Sequence, residues 1–155
     1  MAAIIGPMCV GVEYFVDGEP VTIYVTQRDA RLPVRLRGGR IKLVTWGARE
    51  GVPGVEDDTG PGHIKTWPSG GWAPLDDVRA DKWRRYDPKP VKIAINRFVV
   101  VDKWHVPRWT YLTHGQYLQG LLAEAGRERR VYVVTVHSPE RLPGVIWPRI
   151  ITNTR

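Results

Sequence analysis

The chain has one cysteine, Cys9, in 155 residues. An internal disulfide is therefore excluded, as is a zinc site built on cysteines. A lone cysteine is ordinarily a small buried hydrophobe, and a reducing, cytoplasmic setting is expected. No stretch approaches the roughly 18 uninterrupted apolar residues of a membrane-crossing helix, so no membrane partner is expected. The opening Met1–Pro7 lacks the basic segment of a signal peptide. Ser69 and Ser138 are the only serines, and neither lies in a nucleophile elbow. His63, His105, His114 and His137 are scattered, with none in a ligand spacing. No glycine-rich phosphate loop follows a strand. Neither a metal nor another cofactor is expected.

What is present is cationic and aromatic. Lysine and arginine number 23 against 16 acidic residues, a formal charge of +7. That balance favours polyanions. Seven tryptophans accompany it. Flat rings beside arginines suit single-stranded nucleic acid, whose bases stack and whose phosphates pair with cations. Core packing is the competing use, and at least half of the tryptophans are expected there. The length and the 43% hydrophobic content fit a single globular domain over 1–155.

Alternating apolar residues predict strands over 10–16 and 21–25, joined by an Asp17-Gly18 hairpin turn. Further strands are expected over 32–36 and 41–46, around a Gly38-Gly39 turn. Residues 47–71, rich in glycine, proline and acids, read as a long loop. A short helix is expected over 75–83. Residues 91–101 read as one strand or a bent pair, and 109–112 as another. Thr113-x-x-Gln116 matches a helix capping box, Tyr117, Leu118, Leu121, Leu122 and Ala125 fall on one helical face, and Gly126 sits at a C-cap. A helix is thus predicted over 113–126. Strands are predicted over 129–136 and 145–151, the latter at an edge because of Pro148. The fold class expected is α+β: a strand-rich, barrel-like mixed sheet with a few short helices.

Two segments carry candidate chemistry. Arg79-Ala-Asp-Lys82-Trp83-Arg84-Arg85-Tyr86 packs four cations and two aromatics into eight residues. It reads either as a backbone-tracking groove with a stacking platform or as an amphipathic helix with Trp83 in the core. The second segment is Met8-Cys9. A chain starting after Met8 would expose Cys9 with an α-amine and a thiol on adjacent carbons, a pair that condenses with aldehydes.

Met8-Cys9 followed by a strand resembles the SOS response-associated peptidase family, whose members crosslink to abasic sites in single-stranded DNA. Leu43-Val-Thr-Trp46-Gly47 is similar to the family's strand ending in Trp-Gly. Lys82-Trp83-Arg84-Arg85 resembles its aromatic and basic segment, and Ile93–Phe98 the strand entering its Glu motif. Val131–Thr135 through Trp147-Pro148-Arg149-Ile150 resembles its C-terminal strands. The resemblance spans Met8 to Ile151 in short matches. It implies a barrel-like α+β fold, a groove for single-stranded or damaged DNA, and covalent capture through Cys9 in the DNA damage response. It also implies base stacking or site lining by Trp46, phosphate contacts by Arg84 and Arg85, and a stacking role for Trp83. The sequence departs from the family at its Asn, Glu and His positions. Asp102 and His137 are the replacement proton carriers nearest to hand. Loss of the chemistry with retention of binding is one alternative, and an interaction or structural protein with no nucleic-acid partner is another.

Overall fold

The structure is a computed structural model that describes residues 8–49, 51–56, 62–101, 104–137 and 146–152. Its elements in order are β1 (Met8–Val16), β2 (Glu19–Tyr24), β3 (Arg31–Arg35), β4 (Ile41–Thr45), β5 (Val55–Glu56), β6 (Ile64–Lys65), β7 (Trp72–Pro74), α1 (Leu75–Arg79), a 3₁₀ turn at Arg84–Tyr86, β8 (Lys89–Ile93), β9 (Arg97–Val101), β10 (Pro107–Tyr111), β11 (Gln116–Ala125), β12 (Glu128–His137), β13 (Ile146–Pro148) and β14 (Ile150–Thr152). Among the described residues no helix is long and apolar enough to cross a membrane.

Most strands join one mixed sheet in the order β10-β9-β1-β13-β12-β11-β8-β3-β4. β2 adds to β1, β7 to β12 and β14 to β11. The barrel expectation is corrected: this path has two ends, β10 and β4, and the sheet does not close. It curls back on itself at one isolated parallel bridge, Trp46 to Val131. Among the described residues, the strands of the two halves of the path are hydrogen-bonded to one another through the parallel pair Met8–Ile146 between β1 and β13.

The hairpins follow from turn chemistry. Asp17 and Gly18 both take positive φ, 51° and 82°, as a two-residue type I′ turn demands. The Gly38-Gly39 turn joins β3 to β4, with Pro33 paired opposite Leu43. The stretch 91–101 is a bent pair: β8 lies against β11 and β3, whereas β9 lies against β1 and β10.

The predicted helix over 113–126 is instead β11, a ten-residue strand hydrogen-bonded to β8, β12 and β14. Half of the capping box does form: the Thr113 N–H donates to Gln116 Oε1 at 2.9 Å. It closes a turn, in which the Gln116 N–H also donates to the Thr113 carbonyl. Gly115 at φ 84° then leaves helical space. Gly126, at φ 60°, is the first turn residue of the β11–β12 hairpin and not a helix cap.

β11 and β12 are covered on both faces. Leu118, Leu122, Val131 and Val133 join Val12, Leu32, Val34, Trp46, Ile93, Phe98 and Val100 in one cluster. Leu121, Ala123, Ala125, Tyr132 and Val134 join Trp67, Ala73, Trp83 and Tyr86 in the other. Four of the seven tryptophans, Trp46, Trp67, Trp83 and Trp147, are buried.

Candidate nucleic-acid interface

The antiparallel strands β2-β1-β9-β10 present one face to the core and one outward. Val12, Tyr14, Phe98 and Val100 take the inner face. Strand parity then assigns Gly11, Glu13 and Phe15 of β1 to the outer face, with Arg97 and Val99 of β9. The register lines these residues up in rows across four strands. Tyr24, Gly11, Val99 and Trp109 form one row, and Thr22, Glu13, Arg97 and Tyr111 the next. Pro20 and Phe15 begin a third.

The middle row is held by charge. The Arg97 guanidinium donates twice to Glu13 Oε2, from Nε at 3.1 Å and from Nη2 at 2.9 Å. Asn96 Nδ2 donates to the other Glu13 oxygen at 2.7 Å. These hydrogen bonds, first from Asn96 and then from Arg97, hold the Glu13 carboxyl below the usual carboxylate range. Arg97 in turn lies 4.1 Å from the Trp109 ring centre and 5.5 Å from that of Tyr111. The cation thus fixes two aromatic planes at once.

The first row depends on a missing side chain. A Cβ on Gly11 would stand 2.8 Å from Cδ1 of Tyr24, so glycine lets that ring lie on the sheet. Val99, in the same row, is only 2% exposed although it faces outward. Tyr111 is 63% exposed and Phe15 57%. Phe15 also lines an open groove of about 690 Å³ with Arg35, Ile41, Asn96, His114 and Tyr117. The Arg35 guanidinium lies 5.5 Å from the ring centre of Tyr117 in this groove, and the Lys92 ammonium, from β8 outside the groove's lining, lies 5.5 Å from the same ring centre. The face therefore combines exposed rings with cations already seated against ring planes.

The residues singled out from sequence fall in three places. Trp46 is 1% exposed, and its indole N–H donates to the Gly71 carbonyl at 2.9 Å. Trp83 is 7% exposed and packs on Tyr132, with ring centres 4.7 Å apart. Both are core residues, so the stacking roles expected for them are corrected: neither offers a ring face to a base. Arg84 and Arg85 are exposed on the 3₁₀ turn. Arg84 sits 3.9 Å from Asp81, and Arg85 lies 5.4 Å from the Tyr86 ring centre.

Cys9 and His137 approach through the backbone. Met8 pairs with Ile146, and Ile146 pairs with His137. Met8 and Cys9 also pair with Val101 and Val100 of β9. The start of β1, the end of β9 and the end of β12 thus share one edge of the fold. Asp102, which follows Val101 in sequence, lies outside the described residues. Among the described residues, no group of three His, Cys, Asp or Glu side chains is placed to hold a metal ion.

Sequence reasoning missed Phe15, Tyr24, Arg97, Trp109 and Tyr111. The available signal was alternation: Trp109-Thr110-Tyr111 puts two rings on one face, and adjacent Tyr14-Phe15 must point to opposite faces. No protein-family model, curated protein or solved structure matches this chain.

Proposed function

We propose that this protein binds single-stranded DNA on the outer face of β2-β1-β9-β10. Bases stack on Tyr24, Phe15, Trp109 and Tyr111, the last two held by the Glu13–Arg97 pair, while Arg35 and Lys92 supply positive charge. Arg84 and Arg85 add exposed cations elsewhere on the surface. The observation that carries this reading is the register itself: rings from β2, β1 and β10 share one face around the Glu13–Arg97 pair, with β9 supplying the arginine. Stacking tolerates any base, so little sequence preference is expected, together with strong salt dependence.

Fluorescence anisotropy with labelled oligo-dT tests it. Trp109→Ala and Tyr111→Ala are each expected to weaken binding by about tenfold, since a base stack contributes about 1–3 kcal/mol. Far-UV circular dichroism of both variants should match the parent. Undiminished affinity in both, with the fold intact, overturns the interface.

A second reading, covalent capture of abasic sites, is favoured by the shared edge of Met8, Cys9, Val101, Ile146 and His137. It requires a chain processed to begin at Cys9. The freed amine would attack the sugar aldehyde and water would leave. The thiol sulfur would then add to the imine carbon as its proton passed to nitrogen. With Met8 attached, the Cys9 nitrogen is an amide and this ring cannot close. A mass increase equal to that of the abasic single-stranded DNA less one water, lost in Cys9→Ala, is the expected signature; no increase leaves the binding module without the chemistry.

A further inference from the structure

A second concentration of cations lies away from the aromatic rows. The Trp46 N–H donates to the Ala30 carbonyl at 2.9 Å, and the Gly47 N–H donates to the Val131 carbonyl at 2.8 Å. Three distant segments are thereby pinned together: the β2–β3 loop, the chain leaving β4, and β12. Gly47 permits this. Its φ is 56°, and a Cβ there would stand 2.1 Å from the Gly70 carbonyl oxygen. Each pinned segment carries arginine within a few residues of the pin. Arg28, Arg31, Arg49 and Arg130 all line a cleft of about 690 Å³, with Asp29 the one acidic residue among the described residues that line it.

The cleft is electrostatically incomplete. Nε and Nη2 of Arg49 and Nε of Arg130 are buried without a hydrogen-bond partner among the described residues. Arg130 has its own anchors, with Nη1 donating to the Gly47 carbonyl at 2.8 Å and the guanidinium 5.1 Å from the Trp67 ring centre. Glu128 stands 4.0 Å from it, but also accepts the Trp67 indole N–H. Burial, followed by the neighbouring Arg130, pushes the Arg49 guanidinium below its usual range, and Asp29 offsets this only in part. Buried donors of this kind call for a partner, because a donor taken out of water without one keeps the full cost of its desolvation. Guanidinium forks match the oxygens of a phosphate group, two bonds at a time.

We propose that this cleft is a phosphate-binding site, with Arg49 and Arg130 as its floor and Arg28 and Arg31 as its rim, which takes the doubly charged phosphate of a phosphomonoester. The two arginines of the floor supply unfilled donors, and the exposed pair of the rim supplies attraction and the remaining contacts. That phosphate belongs either to the end of a nucleic acid strand or to a small phosphorylated metabolite. The site does not depend on the aromatic face.

The test is calorimetric titration of the full chain with inorganic phosphate, against sodium chloride at matched ionic strength. Thermal unfolding is followed in parallel. One binding site is expected, with a phosphate-specific rise in Tm. Arg49→Gln should abolish both. Should that variant not fold, the double variant Arg28→Gln/Arg31→Gln keeps the test decisive. Its substitutions are on exposed residues, and it should bind phosphate at least tenfold more weakly with unchanged circular dichroism. Equal responses to phosphate and chloride, or full affinity in the double variant, overturns the proposal. A 5′-phosphorylated oligo-dT that binds at least tenfold better than its 5′-hydroxyl form assigns the phosphate to a strand end. Equal binding of the two forms, alongside the response to free phosphate, assigns it to a small phosphomonoester. Trp109→Ala should leave the phosphate response intact, so failure of either site is read separately from the other.

Discussion

Replacing Trp46 with phenylalanine separates a core role from a DNA-contacting one. The indole is 1% exposed and donates to the Gly71 carbonyl at 2.9 Å. That carbonyl also accepts the Val133 N–H at 2.8 Å, so it keeps one partner in Trp46→Phe. The lost hydrogen bond is then an ordinary one, about 1 kcal/mol. The smaller ring leaves a void among Val25, Gly71 and the neighbouring strands, since the indole sits where a Gly71 Cβ would otherwise go. A partly relaxed void of that kind adds about 1–2 kcal/mol, less than the 3–5 of full truncation to alanine. The sum, about 2–3 kcal/mol, lowers Tm by roughly 4–12 °C in a chain of this size. Urea unfolding followed by circular dichroism measures the loss, and anisotropy with oligo-dT measures affinity below the transition. Affinity should be unchanged. A variant as stable as the parent that binds DNA several-fold more weakly would refute the reasoning and return Trp46 to the interface.

Two further outcomes are expected. Glu13 has a lowered carboxyl pKa in the folded protein. Its contribution is therefore present above the ordinary glutamate range and lost as pH falls through the folded value; in Glu13→Gln the decline in Tm on the acid side should be shallower, and an unchanged acid limb would show the pair to be inert. Gly126→Ala places a Cβ 2.9 Å from the Glu56 carbonyl oxygen at φ 60°, so it should destabilise the β11–β12 hairpin by about 1–3 kcal/mol. A stability gain in that variant would favour helix over strand for this segment.

That segment shows where the sequence stopped being legible. Turns with a demanding backbone were readable: Asp17-Gly18 and Gly38-Gly39 lie where their φ requirements put them. A strand buried on both faces loses its two-residue alternation, because apolar side chains are wanted at every position. In β11 the run Leu118, Leu121, Leu122 and Ala125 then coincides with helical spacing. The contrary sign was Gly120, where a Cβ would stand 2.8 Å from Ile93 Cδ1. Glycine there serves close approach of β8 and would weaken a helix. The site was harder still to read. The aromatic rows need the registers of β2, β1, β9 and β10 together, and the cleft gathers Arg28, Arg49 and Arg130 across much of the chain. Local composition pointed to the dense Lys82–Tyr86 segment, whose tryptophan proved to be core. Charge and ring counts raised the expectation of a polyanionic partner, and the face proposed for it depends on the pairing of strands.

The pinning of Ala30, Trp46 and Val131 also bears on the order in which the chain assembles. Contacts so distant in sequence carry a loop-closure cost and form late relative to the hairpins. The arginine cleft is therefore a property of the finished fold. Hairpins β1–β2, β3–β4 and β11–β12 can each exist while Arg130 is still apart from the arginines flanking β3–β4. The docking of β12 through Gly47 and Val131 brings Arg130 to the other three. An anion seated there would act on that step alone, slowing escape from the native state while leaving the early hairpins untouched.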